Sequence, residues 1–326
     1  MGKDRAMSLM IADTPWGGRK RVASFFNPEL SEAQKKAAIA ESAESPEKFR
    51  KWVAAIADPI VLGLDETSTV RSIFDVQRFA VGEEITYPVF VRDELVSGAW
   101  TVPQLYAQPT QLPVADLASP NIIEVTTSIE WPTRMQQSGR IDIVDLVLRV
   151  LSENVAVAEE ETGWALLATA STVAQSAVTM GATTFKPAGL KALMAAMVYK
   201  AASPNQQKGR QLTHAYGAPN RLLDVLDSDW QGYWGDATKQ AVMRQGAMTS
   251  VFGVQLLPYY GLSTSIMYGF DLTVPSDAFN MAEQGAPETA ELVAAQDHWR
   301  VGVKYRERVG FLVKDARYVL KGNLTS

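Results

Sequence analysis

Hydrophobic positions recur at intervals of three, four and seven along residues 140–177, the longest helical pattern in the chain. The apolar positions are Ile143, Val144, Val147, Leu148, Leu151, Val155, Trp164, Leu167 and Ala168. The stretch contains no proline and one glycine, Gly163. This spacing predicts one long amphipathic helix, roughly 50 Å in length. A compact domain does not need so long a helix, so we expect it to act as a backbone to which other elements attach.

The clearest strand pattern lies near the end of the chain, where apolar and basic positions alternate. One predicted face carries Val301, Val303, Tyr305, Glu307, Val309, Phe311 and Val313. The other carries Arg300, Gly302, Lys304, Arg306, Arg308, Gly310 and Leu312. Alternation with a period of two is typical of a strand that is buried on one face. We therefore predict a long β-ribbon that pairs with a strand around Ile122–Trp131, just before the long helix.

Shorter patterns predict the remaining elements. Residues 1–26 read as an extended arm, followed by two short helices. Strands rich in Val, Ile, Tyr and Phe are predicted between the arm and the long helix, as projecting hairpins. Alternating helices and strands after the long helix predict a second α/β lobe. The predicted short helices are 30–43, 46–57, 190–202, 218–228, 237–247 and 287–295, and the predicted strands are 72–81, 84–91, 99–106, 121–131, 211–216, 251–260 and 264–275.

Composition restricts the class of protein. The 326 residues have an ordinary globular balance, with 47% hydrophobic and 21% charged residues. No apolar run has the length of a membrane span, and the N-terminus lacks the apolar core of a signal peptide. The absence of cysteine excludes disulfides, thiolate metal sites and cysteine nucleophiles.

Charge is distributed unevenly along the chain. The formal net charge is −5, but residues 1–51 carry ten Lys/Arg against seven Asp/Glu, and residues 299–326 carry seven against two. The ends are therefore basic and the middle is acidic. These basic ends are solvated faces, or they contact phosphate or the acidic surface of neighbouring subunits.

The residues that can carry chemistry do not form a catalytic set. His214 and His298 are far apart and lack metal-ligand spacing. Gly261–Ser265 does not complete a nucleophile elbow, and no phosphate-binding loop occurs. Asp227 and Asp229 suit turns better than a cation site. Glu159, Glu160 and Glu161 diverge around a helix, so we interpret them as a subunit-facing or lumen-facing stripe and not as a catalytic pair.

Aromatic side chains concentrate in the second lobe: Trp230, Tyr233, Trp234, Tyr259, Tyr260, Tyr268 and Phe270. Core packing is the first interpretation of this group. A subunit contact is the second, because Trp and Tyr are enriched at interfaces, and a carbohydrate platform is the third. We expect no catalytic, cofactor-binding or metal-binding residue and no cofactor.

Three stretches share features with one family. Residues 140–145, leading into 156–170, look like the start and middle of a spine helix. Residues 246–254 look like a small-residue turn before a strand of an axial lobe. Residues 299–302 with 308–313 look like a closing strand. In this order they resemble the major capsid proteins of tailed bacteriophages, the Hong Kong 97-type shell fold, over most of the chain after residue 70.

The resemblance implies an α+β fold. An N-terminal arm with short helices would span residues 1–57. A peripheral domain would span 58–185 and 291–326, with an extended β-hairpin loop at about 75–115 and the spine helix at about 141–177. An axial α/β domain would span 186–290.

The resemblance also implies a structural, non-catalytic function: self-assembly into an icosahedral shell that encloses double-stranded DNA. Expected partners are copies of the chain in hexamers and pentamers, a scaffolding protein, a portal, an optional cement protein, and DNA bound without sequence specificity on the inner face, with no membrane. The location would be the virion, after assembly in the host cytoplasm. Because the chain reaches the arm almost at once, scaffolding would be a separate protein, or the chain would be a mature form.

Some family members form a Lys–Asn cross-link from the extended loop. Residues 75–115 contain no lysine, so we predict no such cross-link here. Two alternatives to a capsid stay open at this point. One is an encapsulin-type protein nanocompartment, and the other is a soluble α/β enzyme or carbohydrate-binding protein.

Overall fold

The computed structural model describes residues 46–55, 68–89, 116–137, 141–173, 176–181, 183–200, 210–226, 228–231, 250–292 and 300–324. The α-helices are α1 Pro46–Ala55, α2 Thr69–Ile73, α3 Thr133–Gln137, α4 Ile141–Val173, α5 Pro187–Lys200, α6 Pro219–Leu222 and α7 Ser228–Gln231. Short 3₁₀ helices occupy Leu223–Leu226, Pro275–Asp277 and Ala316–Tyr318. The strands are β1 Asp75–Phe79, β2 Tyr87–Val89, β3 Asp116–Ala118, β4 Asn121–Pro132, β5 Val178–Thr179, β6 His214–Gly217, β7 Ser250–Val251, β8 Val254–Pro258, β9 Ile266–Phe270, β10 Phe279–Gln284, β11 Glu288–Glu291, β12 Arg300–Val313 and β13 Val319–Asn323.

Helix α4 is the predicted long helix, and its 33 residues confirm the prediction. One series of its buried positions recurs every four residues, at Val147, Leu151, Val155, Glu159, Gly163, Leu167 and Ser171, and Trp164 and Ala170 are buried beside it. An α-helix turns about 100° per residue, so a four-residue step advances about 40° around the axis. Six such steps move the buried stripe by about 240°. The helix therefore faces different partners along its length.

Strand β12 is the centre of a five-stranded sheet. One of its edges pairs with β4 along almost the whole strand, from Arg300 opposite Pro132 to Phe311 opposite Asn121. The other edge pairs with β11 and then with β10, both antiparallel. Strand β1 adds to β10 in parallel. The predicted β-ribbon and its pairing with the strand before the long helix are thus confirmed.

The second sheet has six strands, in the order β5-β13-β9-β6-β8-β7. Helix α5 contacts β5 and β13 of this sheet. Phe185, Leu190 and Leu193 form an apolar core with Trp230 and Leu256. This arrangement confirms the second α/β lobe that the alternation of helices and strands predicted.

A larger core joins the two sheets through α4. It contains Val147 and Leu151 of the helix, Tyr305 and Val309 of β12, and Phe270 of the second sheet. The alternate residues of β12 predicted to face inward between Val303 and Phe311 are buried, whereas Arg300 and Lys304 on the other face are exposed. The two-faced character of this strand is therefore also confirmed.

The predicted helix at residues 287–295 is wrong where the structure describes it. Glu288–Glu291 is strand β11, with Glu288 opposite Arg306 and Glu291 opposite Val303. Exposed and half-buried residues alternate along it. Hydrogen bonding to β12 makes this segment a strand, because the local helix or strand propensity of so short a segment is weak. The predicted helices at 30–43 and 237–247 and the strand at 99–106 lie outside the described residues.

The predicted division into domains remains a prediction, and several strand pairings cross its boundaries. Strand β10 falls within the range 186–290 but pairs with β12 in the first sheet. Strand β13 falls within the range 291–326 but pairs with β9 in the second sheet.

Candidate functional site

A buried cluster of charged side chains lies where α2, α4, β10 and β12 meet. Arg71 of α2 donates through Nε and Nη2 to the two carboxylate oxygens of Glu159, at 2.8 and 2.6 Å. Its Nη1 donates to Glu283 at 2.7 Å. The side chains of Arg71 and Glu159 are 2% and 0% exposed. Such a cluster fixes the relative position of four elements, because buried charges are costly unless they remain paired.

The interpretation of the three glutamates as an exposed stripe is therefore wrong for Glu159. Helical geometry sends the three side chains in different directions. Glu159 points into the chain, Glu160 is half-buried, and only Glu161 is exposed. Glu160 accepts a hydrogen bond from the backbone N–H of Thr69 at 2.8 Å, so it anchors the start of α2.

Glu307 of β12 completes the cluster. Its Oε2 lies 3.6 Å from Nη2 of Arg71 and accepts a hydrogen bond from the Tyr305 hydroxyl at 2.6 Å. Burial raises the pKa of Glu307 to about 9, and a hydrogen bond with Glu159 acts in the same direction. Burial and the nearby Glu307 carboxyl also raise the pKa of Tyr305. Burial thus favours the neutral form of both groups.

Helix α2 approaches α4 very closely beside this cluster. A methyl group placed on Gly163 would lie 2.6 and 2.9 Å from the two Cγ atoms of Val70. Val70 is fully buried, so it has little space into which to move. The single glycine of the long helix is thus the position where α2 packs against it.

An aromatic cluster links α4 to the second sheet. Trp164 stacks on Tyr259 with ring centroids 4.5 Å apart, and it contacts Tyr216 and Phe270 edge-on. Burial and the nearby Glu160 raise the pKa of Tyr259.

For the aromatic residues singled out from the sequence, core packing is confirmed at Trp230, Tyr268 and Phe270. Tyr259 is half-buried against the long helix. Tyr260 is 87% exposed, and Tyr233 and Trp234 are not among the described residues.

The other candidate residues have ordinary structural contacts. His214 Nδ1 lies 2.9 Å from Thr213 Oγ1, and burial lowers the pKa of the imidazole. Ser263 and Ser265 contact each other at 3.0 Å. Asp229 forms an exposed ion pair with Lys186 at 2.9 Å. His298 and Asp227 fall in parts of the chain that the structure does not describe.

Within the described ranges, no group of three or more His, Cys, Asp or Glu side chains is placed to hold a metal ion. None of the helices in those ranges is both long enough and apolar enough to cross a membrane.

The pairing of β2 with β3, here called the hairpin base, lies against β10 of the first sheet, next to the buried cluster. Strands β2 and β3 pair antiparallel, with Tyr87 opposite Ala118 and Val89 opposite Asp116. Ile85 and Tyr87 pack against Ala282 of β10, which attaches the hairpin base to the first sheet. Residues 90–115, which connect the two strands, are outside the described part of the chain.

The basic face of β12 is balanced by acidic residues of its neighbour β4. Arg306 and Arg308 approach the same carboxylate, Glu124, at 3.1 and 3.7 Å. Arg300 approaches Glu130 at 3.7 Å. The positive charge of this strand is thus partly neutralised within the chain.

Comparison with known proteins gives different results for the sequence and for the fold. No family model matches the sequence, and a search of curated proteins finds no match. Solved structures do match at low identity. The capsid of an empty GTA particle is 14% identical, with a TM-score of 0.54, over 80% of this chain and 90% of that one.

Two further structures are similar to a comparable extent. A structure from Gordonia phage Cozz is 15% identical, with a TM-score of 0.51, over 79% of this chain and 87% of that one. A virus-like particle from Pyrococcus furiosus is 12% identical, with a TM-score of 0.50, over 82% of this chain and 97% of that one. The chain has the mixed α+β fold of Hong Kong 97-like capsid proteins.

Proposed function

We propose that the chain is a major capsid protein that assembles into an icosahedral shell around double-stranded DNA. The observation that carries the proposal is the fold itself, which matches capsid structures over about four fifths of the chain. The described residues add a long helix that joins two sheets, and the hairpin base formed by β2 and β3. We infer a structural role and not an enzymatic one.

The elements of the chain have separate roles in this proposal. The extended loop, predicted at about 75–115, lies over a neighbouring copy beyond β1, which pairs in the first sheet. The arm, predicted at 1–57, does the same before α1, whose Phe49 and Val53 are buried in the chain's own core. The peripheral domain consists of α4 and the five-stranded sheet, and the axial domain consists of α5 and the six-stranded sheet. This division follows sheet pairing, so β10 and β11 move to the peripheral domain, and β5 and β13 move to the axial domain.

The proposed partners follow from this role. Copies of the chain form hexamers and pentamers, with a separate scaffolding protein, a portal and an optional cement protein. DNA contacts the inner face without sequence specificity. The shell is assembled in the host cytoplasm and becomes part of the virion. The lack of lysine in residues 75–115 predicts no covalent cross-link from the loop, so the shell should give only monomer bands in denaturing electrophoresis.

Electron microscopy of the expressed protein, alone and with a scaffold, tests the proposal. We expect closed particles, or capsomers that elute far above the 35.6 kDa of one chain in size-exclusion chromatography. A stable monomer under all conditions would contradict the proposal. It would favour the rival class, a soluble α/β enzyme or carbohydrate-binding protein.

A pair of variants at the hairpin base sharpens the test. Leu117 is 67% exposed, and we expect a neighbouring copy to cover it. Leu117→Glu should therefore reduce the yield of particles while the circular dichroism spectrum of the chain is unchanged. Glu84→Gln changes another exposed residue before β2 and should assemble normally. Equal yields from both variants would argue against a subunit contact at Leu117.

An encapsulin-type shell remains the second candidate, because a virus-like particle matches about as well as the phage structures do. The two functions differ in what the shell encloses. Nuclease-resistant DNA in particles purified from the native source would support a capsid. Particles that contain protein cargo and no nucleic acid would support the nanocompartment.

A further inference from the structure

The buried cluster contains more carboxyl groups than cations. The guanidinium of Arg71 faces Glu159, Glu283 and Glu307. Arg78 of β1 supplies a second cation, and its Nε donates to Glu283 at 2.6 Å. Three carboxyl groups therefore face two guanidinium groups among the described residues. Full ionisation would leave one uncompensated negative charge in a site from which water is excluded.

Glu307 is the carboxyl group that lacks a cation of its own. Both oxygens of Glu159 are occupied by Arg71, and Glu283 accepts from both arginines. No donor group in the described part of the chain hydrogen-bonds to Glu307 Oε1, which is buried. An ionised carboxylate in that position is expensive. A proton on Glu307 removes the surplus charge and supplies a donor for the hydrogen bond with Glu159.

The groups that face Glu307 come from the elements that pack around this part of β12. Helix α2 contributes Arg71, α4 contributes Glu159, and β10 contributes Glu283. Strand β1 contributes Arg78 through Glu283, and β12 contributes the Tyr305 hydroxyl. On β4, the residue opposite Glu307 is Val125, which is apolar. No titratable group facing Glu307 from these described elements brings a further positive charge.

We propose that a proton on Glu307 is part of the native structure, and that it holds α2 and β1, the entry to the hairpin, against the long helix and β12. Loss of this proton in alkaline solution places like charges of Glu307 and Glu159 next to each other. Repulsion between them loosens the contact of Arg71 with α4. Attachment of the hairpin base to the spine helix then depends on pH.

The direction of the pH effect follows from linkage. The pKa of Glu307 is raised from 4.5 to about 9 in the folded chain. Between these two values the folded chain holds a proton that the unfolded chain has lost. The unfolding equilibrium constant therefore rises about tenfold per pH unit in this window. The stabilisation is complete below the unfolded pKa and is lost as the pH rises to about 9.

The test compares wild type with Glu307→Gln by urea unfolding between pH 6.5 and 8.5, at equal protein concentration and in the oligomeric state that the chain adopts. Glutamine resembles the neutral acid, since its carboxamide can accept from Tyr305 and donate to Glu159. Relative to the variant, the unfolding constant of wild type should rise about a hundredfold over this range. Glu161→Gln, on the exposed side of α4, should keep the wild-type dependence. The same slope in wild type and Glu307→Gln would overturn the proposal.

Infrared spectroscopy of the wild-type chain provides an independent measurement if Glu307→Gln does not fold. A buried protonated carboxyl group gives a carbonyl-stretch band separate from those of carboxylates. We expect this band at pH 7 and its loss by pH 10, and its absence at pH 7 would refute the proposal. Neither measurement requires a shell, so its outcome is distinct from the outcome of the assembly test.

Discussion

Replacing Gly163 with alanine tests the close packing of α2 on the long helix. In an exposed helix this change stabilises a protein by about 1 kcal/mol, because glycine is a poor helix former. Here the new methyl group would lie 2.6 Å from one Cγ of Val70 and 2.9 Å from the other. A β-branched side chain that is fully buried cannot turn away easily. Overpacking of this kind costs about 1–3 kcal/mol, so the expected result is a loss of up to about 2 kcal/mol instead of a gain.

A double-mutant cycle with Val70→Ala isolates the contact. Val70→Ala alone should cost about 2 kcal/mol through lost burial and a small cavity. In the double variant the alanine at position 163 occupies part of that space. We expect a coupling energy of at least about 1 kcal/mol, measured by urea unfolding followed by tryptophan fluorescence.

The matched control is Ala165→Gly, at an exposed position in the same helix. It should cost about 1 kcal/mol, the ordinary helix-propensity difference. A gain of about 1 kcal/mol from Gly163→Ala, simply additive with the effect of Val70→Ala, would refute the close packing of α2 on the long helix.

Three other perturbations have defined outcomes. Leu151→Pro removes a hydrogen bond inside the long helix at a fully buried position, at a cost of about 3 kcal/mol or more. Electron microscopy of this variant should show no particles, and intact particles would count against the proposed role of the helix. Arg71→Met leaves the buried carboxylate of Glu159 without a cation and should cost about 3–5 kcal/mol in urea unfolding. Arg78→Met, whose side chain is 49% exposed, should cost much less, and similar losses would contradict the central position of Arg71. Burial raises the pKa of Asp315, but hydrogen bonds and charges from two arginines outweigh burial and lower this pKa below 3.8. The stabilisation that ionised Asp315 gives the fold is therefore present above pH 3.8 and is lost as the pH falls through the lowered pKa. Asp315→Asn should therefore flatten the acid limb of the stability curve, and an unchanged limb would exclude this contribution.

The long helix and the ribbon were predictable because their signals are local. A helix with apolar residues every three or four positions has a core-facing side whatever it packs against. The same holds for the alternation from Val301 to Val313. Strand β11 was not predictable in this way, since four residues of mixed propensity take their structure from the edge of β12.

The buried cluster was missed because its partners are remote in sequence. Arg71 and Glu159 are 88 residues apart, and Arg71 and Glu283 are 212 residues apart. Part of the signal was nevertheless present. Glu159 continues the four-residue series of buried positions in α4, and Glu307 occupies the apolar face of β12. An acidic residue in an apolar series predicts a buried partner, but the identity of that partner depends on the tertiary fold.

The drift of the buried stripe around α4 explains where the cluster lies. Asn154 of the helix approaches Thr127 of β4 at 3.5 Å, and Trp164 stacks on Tyr259 beside the second sheet. Glu159 lies midway between these contacts, where the stripe passes from one sheet to the other. Glu159 is fully buried there, and Arg71 joins it to Glu283 of β10 and Glu307 of β12. These long-range ion pairs connect the hairpin entry to the part of the helix that lies between the two sets of contacts. Displacement of α2 should therefore disturb both sheets, whereas a change at either end of α4 should disturb mainly one sheet.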